Sequence, residues 1–216
     1  MDGGVLGLRS VAGLLLAVLV GAAGCSSGEV PASAPVAAAP ETPKVPVEAP
    51  MPEKAKSESV VLAGGCFWGM QELIRKIPGV LGSEVGYCGG EGDGATYETV
   101  HTGTTGHAES VRVTFDPSKL PFEDLLHWFF RMHDPTTLNR QGNDIGTQYR
   151  STILYSTEEQ RAVAERVKAE IDKSGKWKRP VVTEIKKAGP WSRAEDYHQD
   201  YLQKHPDGYT CHFLRD

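Results

Sequence analysis

A cysteine set beside two aromatic residues and bracketed by glycines, Gly64-Gly65-Cys66-Phe67-Trp68-Gly69, is the stretch most able to do chemistry. As a thiolate, Cys66 is a strong nucleophile toward soft centres. The preceding glycines permit a tight turn and close approach by a substrate. Phe67 and Trp68 form an apolar wall next to the sulfur. The competing reading is a buried packing cysteine with both rings on a core face, and spacing alone leaves the two open. Other polar stretches follow. Gly106-His107-Ala108-Glu109 puts a carboxylate among small residues, and Arg140 to Ser151 (RQGNDIGTQYRS) is a polar loop punctuated by glycine. Gly86 to Glu98 (GYCGGEGDGATYE) is glycine-rich and carries two tyrosines.

The elements that must position these residues can be read from hydrophobic spacing. Ser59 to Gly64 is a short apolar run ended by glycine, as expected of a buried strand. Helical spacing of Phe67, Met70, Leu73, Ile74 and Ile77 follows, stopped by Pro78-Gly79. Cys66 therefore falls between a strand and a helix N-terminus, a position whose free N–H groups favour a thiolate. Ala108 to Phe115 alternates as a strand, Pro121 to Asp134 reads as a helix, and Ser151 to Ser156 as a strand. Thr157 with Gln160 caps a charged helix to about Ser174. Val181 to Ala188 reads as a strand, and the segment from Ser192 to His205 as a last helix. This interleaving predicts an α/β (α+β) two-layer sandwich, a mixed sheet with helices packed on it in a ferredoxin-like manner.

Composition narrows the function class. The chain has 216 residues, a net charge of −5 and 24% charged residues, with no basic stripe, so nucleic acid is not an expected partner. The 4 cysteines are too few and scattered for a disulfide scaffold, and no CxxC pair suggests zinc. His101 and His107 lie near Glu109 in sequence, and His198, His205 and His212 come late, but none has metal-ligand spacing. No metal is expected.

Residues 1–25 are not fold material. Arg9 precedes an apolar run from Val11 to Val20 that is short for a bilayer span, followed by Gly21-Ala22-Ala23-Gly24 and Cys25. This resembles a bacterial lipoprotein signal with Cys25 as the lipidation site, although Ala22 stands where leucine is favoured. A plain secretory signal and an uncleaved anchor are the alternatives. Residues 26–57 hold 7 prolines and no aromatic residue, the composition of a disordered tether. Extended at about 3.1 Å per residue, it reaches on the order of 100 Å. The expected organisation is a signal over 1–25, a tether over 26–57 and a catalytic domain over 58–216. The protein is then an envelope-anchored lipoprotein facing the periplasm, or a secreted or periplasmic protein if Cys25 is not lipidated.

Taken together, GCFWG, GYCGG, TYE, GHAE, QGNDIGTQYRS, AEDYHQDYL and GYTC resemble, in order and interval, the peptide methionine sulfoxide reductases of the A type. The resemblance covers residues 58–216 and implies reduction of the S epimer of methionine sulfoxide, free or within proteins. It also implies roles. Cys66 is the nucleophile and Glu109 the proton donor. Tyr97 and Tyr149 are donors to the sulfoxide oxygen, Asp144 helps order the site, and Phe67 and Trp68 hold the methyl group. Cys66 becomes a sulfenic acid, which Cys211, on a mobile C-terminal tail, resolves to a disulfide. Cys88 is a less favoured resolving candidate. No bound cofactor is implied; thioredoxin or a similar dithiol supplies electrons, and the enzyme is a monomer. Two rivals remain on residues alone. One is a Cys66–His198 hydrolase; the other is a binding lipoprotein that would tolerate Cys66→Ser.

Overall fold

The computed structural model describes residues 57–216. Cys25 and the signal and tether up to residue 56 lie outside the described residues. In chain order the elements are β1 (Glu58–Gly64), α1 (Phe67–Ile74), β2 (Val80–Cys88), α2 (Tyr97–His101), β3 (Ala108–Phe115), α3 (Phe122–Met132), β4 (Arg140–Gln141), β5 (Asp144–Ile145), a single 3-10 turn (Thr147–Tyr149), β6 (Ser151–Tyr155), α4 (Glu158–Lys173), β7 (Glu184–Lys187), β8 (Ser192–Arg193) and α5 (Tyr201–Lys204).

Six strands form one mixed sheet in the order β7-β6-β1-β3-β2-β8. All neighbours are antiparallel except β6 and β7, which are parallel and joined by the crossover through α4. Alternation divides β1 between two faces. Val60 and Leu62 enter the main core, while Val61 packs on the other side with Cys88 and Leu154. The main core lies under α1, α3 and α4. From α3 it receives Phe122, Leu125, Leu126, Phe129, Phe130 and Met132, a spacing that keeps one helical face buried. This is the two-layer arrangement that the alternation of strand and helix predicts.

Topology brings the polar motifs to one end of the sheet. Gly64 ends β1 opposite Ser151, the first residue of β6. Tyr87 near the end of β2 lies opposite Glu109 near the start of β3, and Leu62 opposite Val111. The strand ends that carry Cys66, Glu109 and Tyr149 thus meet at the same edge. The GGCFWG glycines have separate steric causes. A Cβ on Gly65, at φ +113, would come 2.7 Å from the Gln141 side chain and 2.9 Å from His212 Cε1. One on Gly69 would come 2.3 Å from Thr210 Oγ1 and 3.0 Å from His212 Nδ1. The glycines leave room for the C-terminal segment to cross the turn.

Three expectations need correction. Residues 192–205 do not form one helix: Ser192 and Arg193 pair with β2, and only Tyr201–Lys204 is helical. Side-chain bonds outcompete the helix here. Gln199 Oε1 accepts from Val85 N at 3.0 Å and its Nε2 donates to Val85 O at 2.9 Å, as a strand neighbour would, and Asp200 is left-handed at φ 55. The strand predicted over Val181 to Ala188 is confined to Glu184–Lys187. The C-terminal tail is fastened, not loose. Arg215 N donates to Arg131 O at 2.8 Å, and Arg131 Nε donates to Arg215 O at 2.9 Å. Gly65→Ala is expected to cost about 1–3 kcal/mol from backbone strain alone, before any displacement of Gln141 or His212. Thermal unfolding measures this; an unchanged midpoint contradicts the steric account.

Candidate active site

A partly enclosed cavity of about 180 Å³ is lined by Cys66, Phe67, Trp68, Tyr97, Glu109, Asp144, Tyr149 and Tyr209. Residues that the sequence spreads from 66 to 209 therefore line one cavity. Cys66 is the residue before the first turn of α1, and Glu109 is buried at 3% exposure. Glu109 Oε2 accepts the Phe67 backbone N–H at 3.0 Å, which anchors the carboxyl to the helix N-terminus next to the sulfur.

Burial governs protonation here. It pushes the Glu109 carboxyl up to about 8, with the Asp144 charge adding to the rise and the Phe67 N–H opposing it. The same burial pushes the Cys66 thiol above its ordinary range; Glu109 adds to the rise once it ionises, and the Trp68 backbone N–H opposes. The thiolate expected from the helix position is overridden. A helix N-terminus contributes roughly 0.3–1 kcal/mol. Burial can move a group by 3–5 pH units at about 1.4 kcal/mol each. The resting pair is thus a neutral thiol beside a protonated carboxyl.

The remaining lining is held by longer-range bonds. Tyr149 Oη lies 3.0 Å from His101 Nε2, whose Nδ1 lies 3.0 Å from the Tyr97 carbonyl. His101 Nε2 is also 3.6 Å from Glu109 Oε1. Glu195 accepts from Tyr97 N and from Tyr87 Oη, both at 2.9 Å. Arg150 donates to the carbonyls of Thr147 at 2.9 Å and Gly106 at 2.8 Å, tying the polar loop to the segment before β3. Trp68 stacks on Tyr201 with ring centres 3.8 Å apart, and its Nε1 donates to His198 Nδ1 at 3.0 Å. That bond engages the histidine that the hydrolase reading needs as a base. Among the described residues no histidine is hydrogen-bonded to Cys66.

Cys211 does not line the cavity itself but lies against two residues that do, the backbone of Cys66 and the side chain of Asp144. Its thiol is pushed up to about 12 by burial, with Asp144 adding to the rise and the backbone N–H of Cys66 opposing it. Tyr209 donates to Asp144 Oδ1 at 3.1 Å. Cys88 is fully buried with Val61 and Leu154 and lines no part of the cavity, its Sγ 3.8 Å from Gly189 O. Tyr209, His101, Glu195 and Arg150 were not anticipated as site residues. Tyr209 sits in the GYTC motif, which was the available signal; the others act through contacts that spacing does not reveal. Glu123, His127 and Glu170 converge elsewhere, where Arg166 pairs with both acids.

Comparison with known proteins agrees with this geometry. The family model described as peptide methionine sulfoxide reductase matches residues 58–215. A relative from Leifsonia xyli subsp. xyli, the peptide methionine sulfoxide reductase MsrA, is 56% identical over 159 residues, which cover 74% of this chain and 92% of the relative. The crystal structure of Mxr1 from Saccharomyces cerevisiae in reduced form superposes with a TM-score of 0.71 at 36% identity, covering 76% of this chain and 95% of that one. Mxr1 in complex with Trx2 gives a TM-score of 0.53 at 26% identity, covering 76% of this chain and 94% of that one. A direct test of the buried carboxyl is infrared titration. A protonated-carboxyl band should persist at neutral pH, vanish as pH rises through about 8 and be missing in Glu109→Gln. A Glu109 already ionised at neutral pH contradicts the burial argument.

Proposed function

The chain belongs to the peptide methionine sulfoxide reductase family, and we propose from that footing how its cavity reduces methionine sulfoxide to methionine. The observation that carries the reading is the convergence of the Cys66 thiol, the buried Glu109 carboxyl, three tyrosines and the Phe67 and Trp68 rings on one cavity. The sulfoxide oxygen faces Glu109, Tyr97 and Tyr149, and its methyl group the corner of Phe67 and Trp68. With oxygen, methyl and the line of attack from Cys66 fixed, the remaining substituent leads out of the pocket in one configuration only. That selects one epimer, which the family resemblance assigns as S, free or within an oxidised protein.

Chemistry then follows from the neutral pair. Cys66 sulfur attacks the sulfoxide while Glu109 gives its proton to the departing oxygen. The thiol proton restores Glu109, so thiol plus sulfoxide becomes sulfenic acid plus thioether with no net proton change. Cys211 attacks the Cys66 sulfenic acid, releasing water and forming a disulfide. The contact of Cys211 with the backbone of Cys66 and with Asp144 supports this pairing, and Cys88, confined to the opposite face of the sheet, has no such access. A thioredoxin-like dithiol reopens the disulfide, as the Mxr1 complex with Trx2 supports. No bound cofactor is required, and the enzyme works as a monomer.

The amino-terminal sequence extends the proposal to location. The signal-like residues 1–25 and the proline-rich stretch over 26–57 support a catalytic domain over 58–216 tethered through a lipid on Cys25. The enzyme would repair proteins of the cell envelope, facing the periplasm.

Cys66→Ser should abolish even one turnover. Cys211→Ser should form about one methionine per enzyme and then stall with a protein dithiol; sustained turnover by that variant contradicts the resolving role. Cys25→Ala should move the protein from the membrane to the soluble fraction of the envelope, and retention in the membrane would overturn the lipid anchor.

A further inference from the structure

The hydrogen bonds of His212 give it a chemical orientation. Its Nε2 lies 3.0 Å from the Gly64 carbonyl oxygen. A carbonyl only accepts, so Nε2 carries the hydrogen and Nδ1 presents a lone pair. That lone pair points at the Cys211 thiol, with Sγ and Nδ1 3.1 Å apart. The ring is buried at 7% exposure, in space that glycines at 65 and 69 leave open. The Gly64 carbonyl therefore fixes the one tautomer that can take a proton from Cys211.

We propose that His212 is a catalytic residue of the second half-reaction, the base that removes the Cys211 proton as that sulfur attacks the Cys66 sulfenic acid. The proposal rests on the resolving role of Cys211 given above. In this step the S–O bond of the sulfenic acid breaks as the S–S bond forms. The Cys211 sulfur is oxidised, the Cys66 sulfur is reduced, and hydroxide leaves with one proton as water. The proton that His212 takes balances the one consumed in that water, so the ring ends neutral.

The surroundings explain why a local base is needed and why it is ready. Burial and the Asp144 carboxylate push the Cys211 thiol up to about 12, so solvent leaves it almost wholly protonated near neutrality. Burial, with Arg215 adding to the effect, holds the imidazole pKa down to about 4, against the Gly64 carbonyl. His212 is therefore unprotonated throughout the working range and, being a weak base, takes the proton only in concert with S–S bond formation. The titratable and charged groups that face this pair are Cys66, His133, Asp144, Tyr209 and Arg215. Burial holds His133 neutral with its pKa at about 3, bonded to Phe129 O at 2.9 Å and Ser151 Oγ at 2.7 Å, so it does not titrate alongside.

Rapid-quench kinetics on the full chain separates the steps: methionine formed, Cys66 sulfenic acid trapped by dimedone, and Cys66–Cys211 disulfide mapped by mass spectrometry. In the wild type, the rate constant of the second step, from Cys66 sulfenic acid to disulfide, should be nearly flat from about pH 6 to 9, since the base is already unprotonated. In His212→Gln, whose amide can still donate to Gly64 O, methionine formation should keep its rate. Disulfide formation should slow about 100-fold near neutral pH and climb about tenfold per pH unit as solvent deprotonates Cys211. Disulfide formation at the wild-type rate in His212→Gln, or an equal loss at every pH, overturns the proposal. So does a wild-type rate that climbs tenfold per unit, a measurement that stands even if the variant does not fold. Absence of a wild-type methionine burst would instead sink the reductase reading. A burst whose sulfenic acid is resolved by a thiol other than Cys211 would sink the pairing, and the role of His212 with it, while leaving the reductase reading in place.

Discussion

Everything at this site depends on the burial of one carboxyl against one helix N-terminus. Glu109 is almost completely removed from water and gives a single acceptor to the Phe67 N–H. One hydrogen bond from a neutral donor does not offset the loss of solvation of a carboxylate, so the acid keeps its proton near neutrality. The same dry environment keeps Cys66 as a thiol. Both groups are neutral at rest, which suits a reaction that consumes no net proton and must hold a proton ready for the departing oxygen. An exposed carboxyl would have lost that proton several pH units earlier.

That burial has structural requirements spread across the chain. The ends of β1, β2, β3 and β6 must meet at one edge, which the antiparallel register achieves. The cavity must be covered without being closed. Trp68, fixed between Tyr201 and His198, supplies one side, and the C-terminal segment carrying Tyr209, Cys211 and His212 crosses the other. The glycines of the GGCFWG turn are the counterpart of that crossing, since a methyl group at Gly65 or Gly69 meets the crossing segment. Cys66 and Cys211 thus sit within one packed unit.

Much of this is legible in the sequence where the signals are local. Ala108–Phe115 alternates cleanly and forms a strand over those same residues; the apolar stripe from Phe122 to Met132 and the Thr157 cap of α4 likewise need no tertiary information. Strand β2 was not anticipated, because Gly82 and Gly86 interrupt its alternation; Gly86 is required by Trp191 and the Ser192 carbonyl, which lie where its side chain would be. Residues 192–205 mislead for a related reason: Gln199 and Glu195 spend their side chains on β2 and on Tyr97, partners about 100 residues away. The protonation of Cys66 is also a tertiary property, since helix position argues for a thiolate and only the surrounding packing reverses it. His101 and His212 carry no local signal, as each acts through a carbonyl or hydroxyl supplied by another element.

The most direct test of the neutral thiol–carboxyl pair is the rate of a single turnover as a function of pH, followed epimer by epimer on a methionine sulfoxide peptide of mixed configuration. Only the S epimer should be consumed, at a rate level through neutrality and falling as Glu109 loses its proton near pH 8. A rate that instead rises with pH would mean that thiolate formation at Cys66, not the proton on Glu109, limits the chemistry, and would contradict the account.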